Sequence, residues 1–104
     1  MDRRKALALS VTALACGPAG RVRIGGKNFV EQDILANLIG LATMRFARET
    51  PDLRLRLGGS FLAHQAITNG ELDVYAEYSG TALTACLKLP MEKSRERVYE
   101  TVRR

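Results

Sequence analysis

Apolar residues along the chain recur first with one spacing and then another. Arg21 to Ile24 reads as a short strand, ended by Gly25-Gly26. A helix follows, with Asn28 and Glu31 at capping-box spacing. Ile34, Leu35, Leu38, Ile39, Leu41, Ala42 and Phe46 then recur at helical intervals and predict an apolar stripe, which Pro51 stops. Leu53-Arg54-Leu55-Arg56-Leu57 alternates with period two and predicts a second strand, ended by Gly58-Gly59. Ser60 is placed to cap a second helix carrying Phe61, Leu62, Ala66 and Ile67 along one side, with Gly70 just past its end. Leu72 to Tyr75 predicts a third strand. Ser79-Gly80-Thr81 opens a third helix bearing Leu83 and Leu87, and Pro90 separates it from a charged helix over Glu92 to Arg104.

The order β-α-β-α-β-α-α predicts an α/β fold, with a parallel sheet flanked by helices and right-handed crossovers. In such open sheets, ligands bind beyond the carboxyl ends of the strands. Those ends are Gly25-Gly26-Lys27-Asn28, Gly58-Gly59-Ser60 and Glu77-Tyr78-Ser79-Gly80-Thr81. Each is a glycine-containing turn leading into a helix, so backbone N–H groups, hydroxyls and a tyrosine can face one crevice. The pattern stops inside a charged helical segment without a closing strand, which reads as one lobe left incomplete. A chain of this size is expected to be marginal on its own.

The first residues change the picture. Arg3, Arg4 and Lys5 precede an apolar run from Ala6 to Ala15, and Ala13-Leu14-Ala15 supplies small residues for cleavage. Residues 1–15 therefore read as a signal peptide, too short in its apolar run to span a bilayer. Cys16 follows directly, resembling the lipidated cysteine of a bacterial lipoprotein, with Ala13 where leucine is usual; plain cleavage after Ala15 is the alternative. Residues 16–20 form a linker containing Gly17-Pro18, and residues 21–104 form the domain. The protein is thus expected outside the cytoplasm, periplasmic or lipid-anchored.

Composition narrows the function. The 104 residues carry a formal charge of +5, with 16 basic and 11 acidic residues. Three of those bases and one acid lie in the first five residues, so +3 remains beyond the signal. The remaining bases are scattered among acids without an aromatic–basic patch, so no nucleic-acid partner is expected. One histidine and two cysteines, Cys16 and Cys86, offer no metal-ligand spacing. Cys86 reads as a small buried hydrophobe, and His64 as a mid-helix packing or surface residue. Asp73 and Glu77 read as solvated or capping carboxylates. Neither the phosphate-loop nor the dinucleotide glycine pattern is present, and no nucleophile–base pair stands out. No cofactor and no catalytic residue are expected.

Read together, the three turns resemble the glycine betaine/choline-binding proteins of ABC importers, a quaternary-ammonium (osmoprotectant) family. Ile24-Gly25-Gly26-Lys27-Asn28-Phe29-Val30-Glu31-Gln32 is similar to its G-x-K-x-F-T-E-Q opening. Leu57-Gly58-Gly59-Ser60 with His64-Gln65-Ala66-Ile67 resembles its second turn and helix. Gly70-Glu71-Leu72-Asp73-Val74-Tyr75-Ala76-Glu77-Tyr78-Ser79-Gly80-Thr81-Ala82-Leu83 resembles its G-E-I-D-x-Y-P-E-Y-T-G-T-A-L segment. The resemblance implies the N-terminal part of a periplasmic-binding-protein-like lobe. It also implies a non-enzymatic protein that hands a quaternary ammonium ligand to a membrane permease.

A quaternary ammonium is permanently charged and has no N–H to donate, so aromatic faces hold it by cation–π attraction. The resemblance makes Tyr78 one wall of the cage, with Thr81 beside it setting head-group preference, and Gln32, Asn28 and Ser60 as polar lining. Tyr75 is implied to be structural. Ala76 stands where the family has proline, and Val30 where it has threonine. The rival readings are a small α/β enzyme using the glycine turns for an anionic substrate, and a sensory ligand-binding module of a receptor or regulator.

Overall fold

The computed structural model describes residues 20–104. The expected signal peptide, the expected lipidation site Cys16 and most of the expected linker lie outside the described residues. Three short strands form one parallel sheet in the order β2-β1-β3. They are β1 (Arg23–Gly25), β2 (Asp52–Arg54) and β3 (Val74–Tyr75). Ile24 is fully buried at the centre, in register with Leu53 on one side and Val74 on the other. An aliphatic β-branched residue suits a position covered on both faces. The α/β architecture, the parallel sheet and the order of elements are as expected.

The strands are shorter than the alternation predicts, for local reasons. Arg56 adopts φ 58°, in the left-handed region, so β2 stops at Arg54 instead of Leu57. Beyond that kink, the Leu57 N–H returns to the Gly26 carbonyl at 2.9 Å. Leu72 does not join β3. Its N–H faces the Ala66 carbonyl at 3.3 Å, finishing the preceding helix, while its side chain fills the core.

Helix α1 (Val30–Ala42) crosses from β1 to β2, but on a different face from the one its apolar stripe predicts. Gln32, Ala36 and Gly40 are its buried residues, spaced one turn apart. Small residues let the helix lie close to the sheet. A Cβ on Gly40 would come within 3.4 Å of both Leu53 and Pro51. Of the expected stripe, Leu35 and Ile39 are half-buried, whereas Ile34, Leu38, Leu41 and Phe46 are exposed. Nor does Asn28 cap the helix. Phe29 holds the N-cap position, without a side-chain cap bond. A π-helical turn, Thr43–Ala47, extends α1, and Arg48 ends it in the left-handed region before Pro51 is reached.

Helix α2 (Ser60–Thr68) is capped by Gly59, not Ser60. Gly58 at φ 116° makes the turn into it, a conformation that favours glycine. Ala63 and Ala66 are buried, while Phe61 and Leu62, predicted to face inward, are exposed. Gly70 follows the helix at φ 77°, as expected of a residue just past a C-terminus. Helix α3 (Ser79–Thr81) continues as a π-helical turn, Ala82–Cys86. It buries Leu83 but leaves Leu87 exposed. Helix α4 (Arg95–Arg103) starts later than Glu92, because the Ser94 hydroxyl accepts from the Arg97 N–H at 3.3 Å and caps it there. Val98 joins α4 to the core.

Candidate functional site

The three turns meet beyond the carboxyl ends of the strands, and one lysine holds them. Lys27 follows Gly25-Gly26 and is only 3% exposed. Its ammonium donates to Glu77 Oε1 at 2.5 Å and to Ser60 Oγ at 3.1 Å. The first turn is thereby tied to the second and third. Gln32 adds a second tie. Its Oε1 accepts from the Lys27 backbone N–H at 3.1 Å, and its Nε2 donates to the Ala76 carbonyl at 3.0 Å. Backbone bonds close the remaining side, where the Asn28 N–H meets the Gly58 carbonyl at 3.0 Å.

Glu77 is the acceptor around which this cluster closes. Oε1 also accepts from the Tyr78 N–H at 3.0 Å, and Oε2 from the Tyr75 hydroxyl at 3.0 Å. Burial would push this carboxyl up. The hydrogen bonds from Lys27, the Tyr78 N–H and Tyr75, with the charge of Lys27, outweigh burial and hold it below its ordinary value. Burial first, then the hydrogen bond and charge of Glu77, push the Tyr75 phenol well above its usual range. Glu77 is thus a partly buried ion-pair member and not the solvated or capping carboxylate predicted. Asp73 instead pairs with Arg23 at 3.1 Å, away from the turns.

Two aromatic rings flank the lysine. The Phe29 and Tyr78 centroids lie 6.3 Å apart, with 22° between their planes. Lys27 Nζ is 4.9 Å from the Tyr78 centroid and 5.6 Å from that of Phe29, both within cation–π range. Tyr78 also lines a cavity of about 300 Å³ with Thr81, Thr84, Leu83, Met91, Glu92 and Val98. Its hydroxyl is buried and has no hydrogen-bond partner among the described residues.

The five ligand-contacting candidates fall in three places. Tyr78 and Thr81 share the cavity. Gln32 and Ser60 belong to the Lys27 cluster, with both ends of the Gln32 amide engaged by backbone. Asn28 is exposed at the first turn, where its carbonyl accepts from Arg56 at 3.3 Å. His64 is half-buried mid-helix, and Cys86 is half-buried with its sulfur 4.0 Å from the Tyr75 hydroxyl, less enclosed than expected.

Lys27 and Phe29 escaped the reading of single residues, and Glu77 was given the wrong role. Their signals were present. A glycine pair before a lysine lets the chain turn its side chain back over the strand ends, and Tyr75 and Glu77 stand two apart in an extended segment, on one face. Among the described residues no helix is long and apolar enough to cross a membrane, and no three His, Cys, Asp or Glu side chains gather as metal ligands.

A parallel sheet whose carboxyl-end turns converge on a buried polar cluster and an aromatic pair defines an α/β binding lobe of the periplasmic-binding-protein type. Residues 20–103 match the substrate-binding domain of the ABC-type glycine betaine transport system, and the chain belongs to that family. Among solved structures it is similar to apo YehZ from Escherichia coli, at 30% identity and a TM-score of 0.68. That similarity covers 79% of this chain and 30% of YehZ, so the chain spans under a third of that protein's length.

Proposed function

We propose that this chain belongs to the extracytoplasmic solute-binding component of an ABC importer, a non-enzymatic protein that captures quaternary ammonium compounds of the glycine betaine and choline type for a membrane permease. The observation that carries the reading is the ammonium already held against Phe29 and Tyr78. Rings that draw a primary ammonium offer the same π faces to a quaternary one, for which hydrogen bonding is no competitor. Thr81 and Glu92 add a hydroxyl and a carboxylate to the cavity beside Tyr78. Membership of the glycine betaine transport family supports the ligand class. In this reading residues 1–15 leave on export, and mass spectrometry of the exported chain distinguishes an acylated Cys16, the lipid-anchored form, from a free one, the periplasmic form.

The ligand class is tested by titrating the ¹⁵N-labelled chain with choline and with its uncharged isostere 3,3-dimethyl-1-butanol. Saturable shifts at Phe29, Tyr78 and Thr81 with choline alone are expected. Equal response to the neutral isostere would show that charge on the ligand is irrelevant and would overturn the reading.

A further inference from the structure

We propose that the outer face of α1 is a docking surface for a second copy of this chain, set antiparallel across a two-fold axis beside Leu38. The inference is independent of the ligand. A helix that lies on a sheet ordinarily turns polar residues to the water on its far side. In α1 the far side is apolar. Opposite the buried Gln32, Ala36 and Gly40 it presents Val30, Ile34, Leu38 and Leu41, each more than half exposed. A helix that is apolar on both sides is suited to being covered on both.

Spacing and charge identify the cover. Glu31, Ile34, Leu38, Leu41 and Arg45 alternate between three-residue and four-residue steps, the seam by which two helices pair. The acid stands at one end and the base at the other, both exposed. Asp33, the other acid of the first turn, is engaged by Arg56 at 2.7 Å, which leaves Glu31 to meet a partner. Arg45 lies in the π-helical turn that extends α1, its guanidinium 5.6 Å from the centre of the Phe46 ring. Reversing one copy on the other sets Ile34 against the partner's Leu41, Leu38 close to the axis, and Glu31 against the partner's Arg45. The two helix dipoles then also run in opposite directions. A membrane surface would select one sign of charge along the face, whereas α1 carries both. The seam is short. Two helices meeting on it cover less than the roughly 1,200 Å² of a stable interface, so the pair separates on dilution and the unfolding of dilute protein reads the single copy.

Sedimentation velocity of the purified chain across a dilution series tests this. Wild type should pass reversibly from dimer to monomer. Leu38→Lys brings two like charges together at the axis and should weaken the dimer by about tenfold or more. Should Leu38→Lys lose the wild-type circular dichroism spectrum, Leu38→Gln takes its place, with a smaller factor expected. Glu31→Arg alone and Arg45→Glu alone should each weaken the dimer, and the two together should restore it, because the exchanged charges again meet across the axis. Monomer at every concentration up to the solubility limit would overturn the proposal, as would a dimer that ignores Leu38→Lys. Failure of the double charge exchange to restore association would overturn the antiparallel seam. Monomer that co-sediments with phosphatidylglycerol vesicles, and ceases to in Leu38→Lys, would assign the stripe to a lipid surface and overturn the second copy as its cover.

Discussion

Lys27, Gln32 and Glu77 are enclosed at the strand ends, while Val30, Ile34, Leu38 and Leu41 stand on the outer side of the same α1 that buries Gln32. The first group is polar and the second apolar, so the usual placement is inverted. The polar group is stable inside because its members are partnered: two carboxylate oxygens, one ammonium and both ends of one amide find hydrogen bonds. The apolar group is 55–64% exposed. Close approach to the sheet decides which side of α1 turns inward: Ala36 and Gly40 permit it where leucines would not, and Gln32 is held inward by its hydrogen bonds.

The contrast is broken most severely from the polar side. Glu77→Ala leaves the Lys27 ammonium without its carboxylate, and we expect a loss of about 3–5 kcal/mol, the scale for removing one partner of a buried pair. Urea unfolding followed by circular dichroism measures it, and an unchanged midpoint would mean the cluster does not hold the turns. Gln32→Leu keeps similar volume but strands the Lys27 N–H and the Ala76 carbonyl, at a cost of about 2 kcal/mol. The same unfolding measurement applies, and a gain in stability would show that the tie is dispensable.

Acid should act on the same cluster. The native Glu77 carboxyl is held below its ordinary value of 4.5. Below that value the unfolded chain binds more protons than the folded one, so stability falls. The contribution of Glu77 is complete above pH 4.5 and disappears as pH drops through the depressed native value. Unfolding midpoints taken across that range should decline in wild type and decline less in Glu77→Gln.

The apolar side should respond least. Leu38→Lys on the outer face of α1 should change unfolding free energy by no more than about 0.5 kcal/mol, as at an ordinary surface position. A loss of several kcal/mol would mean that this face is covered in the folded chain.

Much of the fold was legible in the sequence. Alternation at Leu53 to Leu57 and the glycine pairs located the parallel strands and the turns that cluster at one end. What stayed hidden depended on contacts between segments far apart. Periodicity counts apolar residues on a helix but cannot say that Ala36 and Gly40 face the sheet, since that follows from the approach of Leu53 and Pro51. Strand ends were overrun because the left-handed turn at Arg56 leaves no mark in the hydrophobic pattern. In the site, Tyr78 and Thr81 came from the family resemblance and not from the hydrophobic pattern, and the structure places both along one cavity. The pairing of Lys27 with Glu77 joins residues 50 apart and became visible only with the sheet assembled.

The central claim is that Tyr78 offers its π face to a quaternary ammonium ligand, and calorimetry of choline or glycine betaine with wild type, Tyr78→Phe and Tyr78→Ala tests it most directly. The account predicts a loss of about 1–2 kcal/mol or more in Tyr78→Ala and a much smaller one in Tyr78→Phe, which keeps the ring. Equal affinity in wild type and Tyr78→Ala, with the circular dichroism spectrum unchanged, would contradict it.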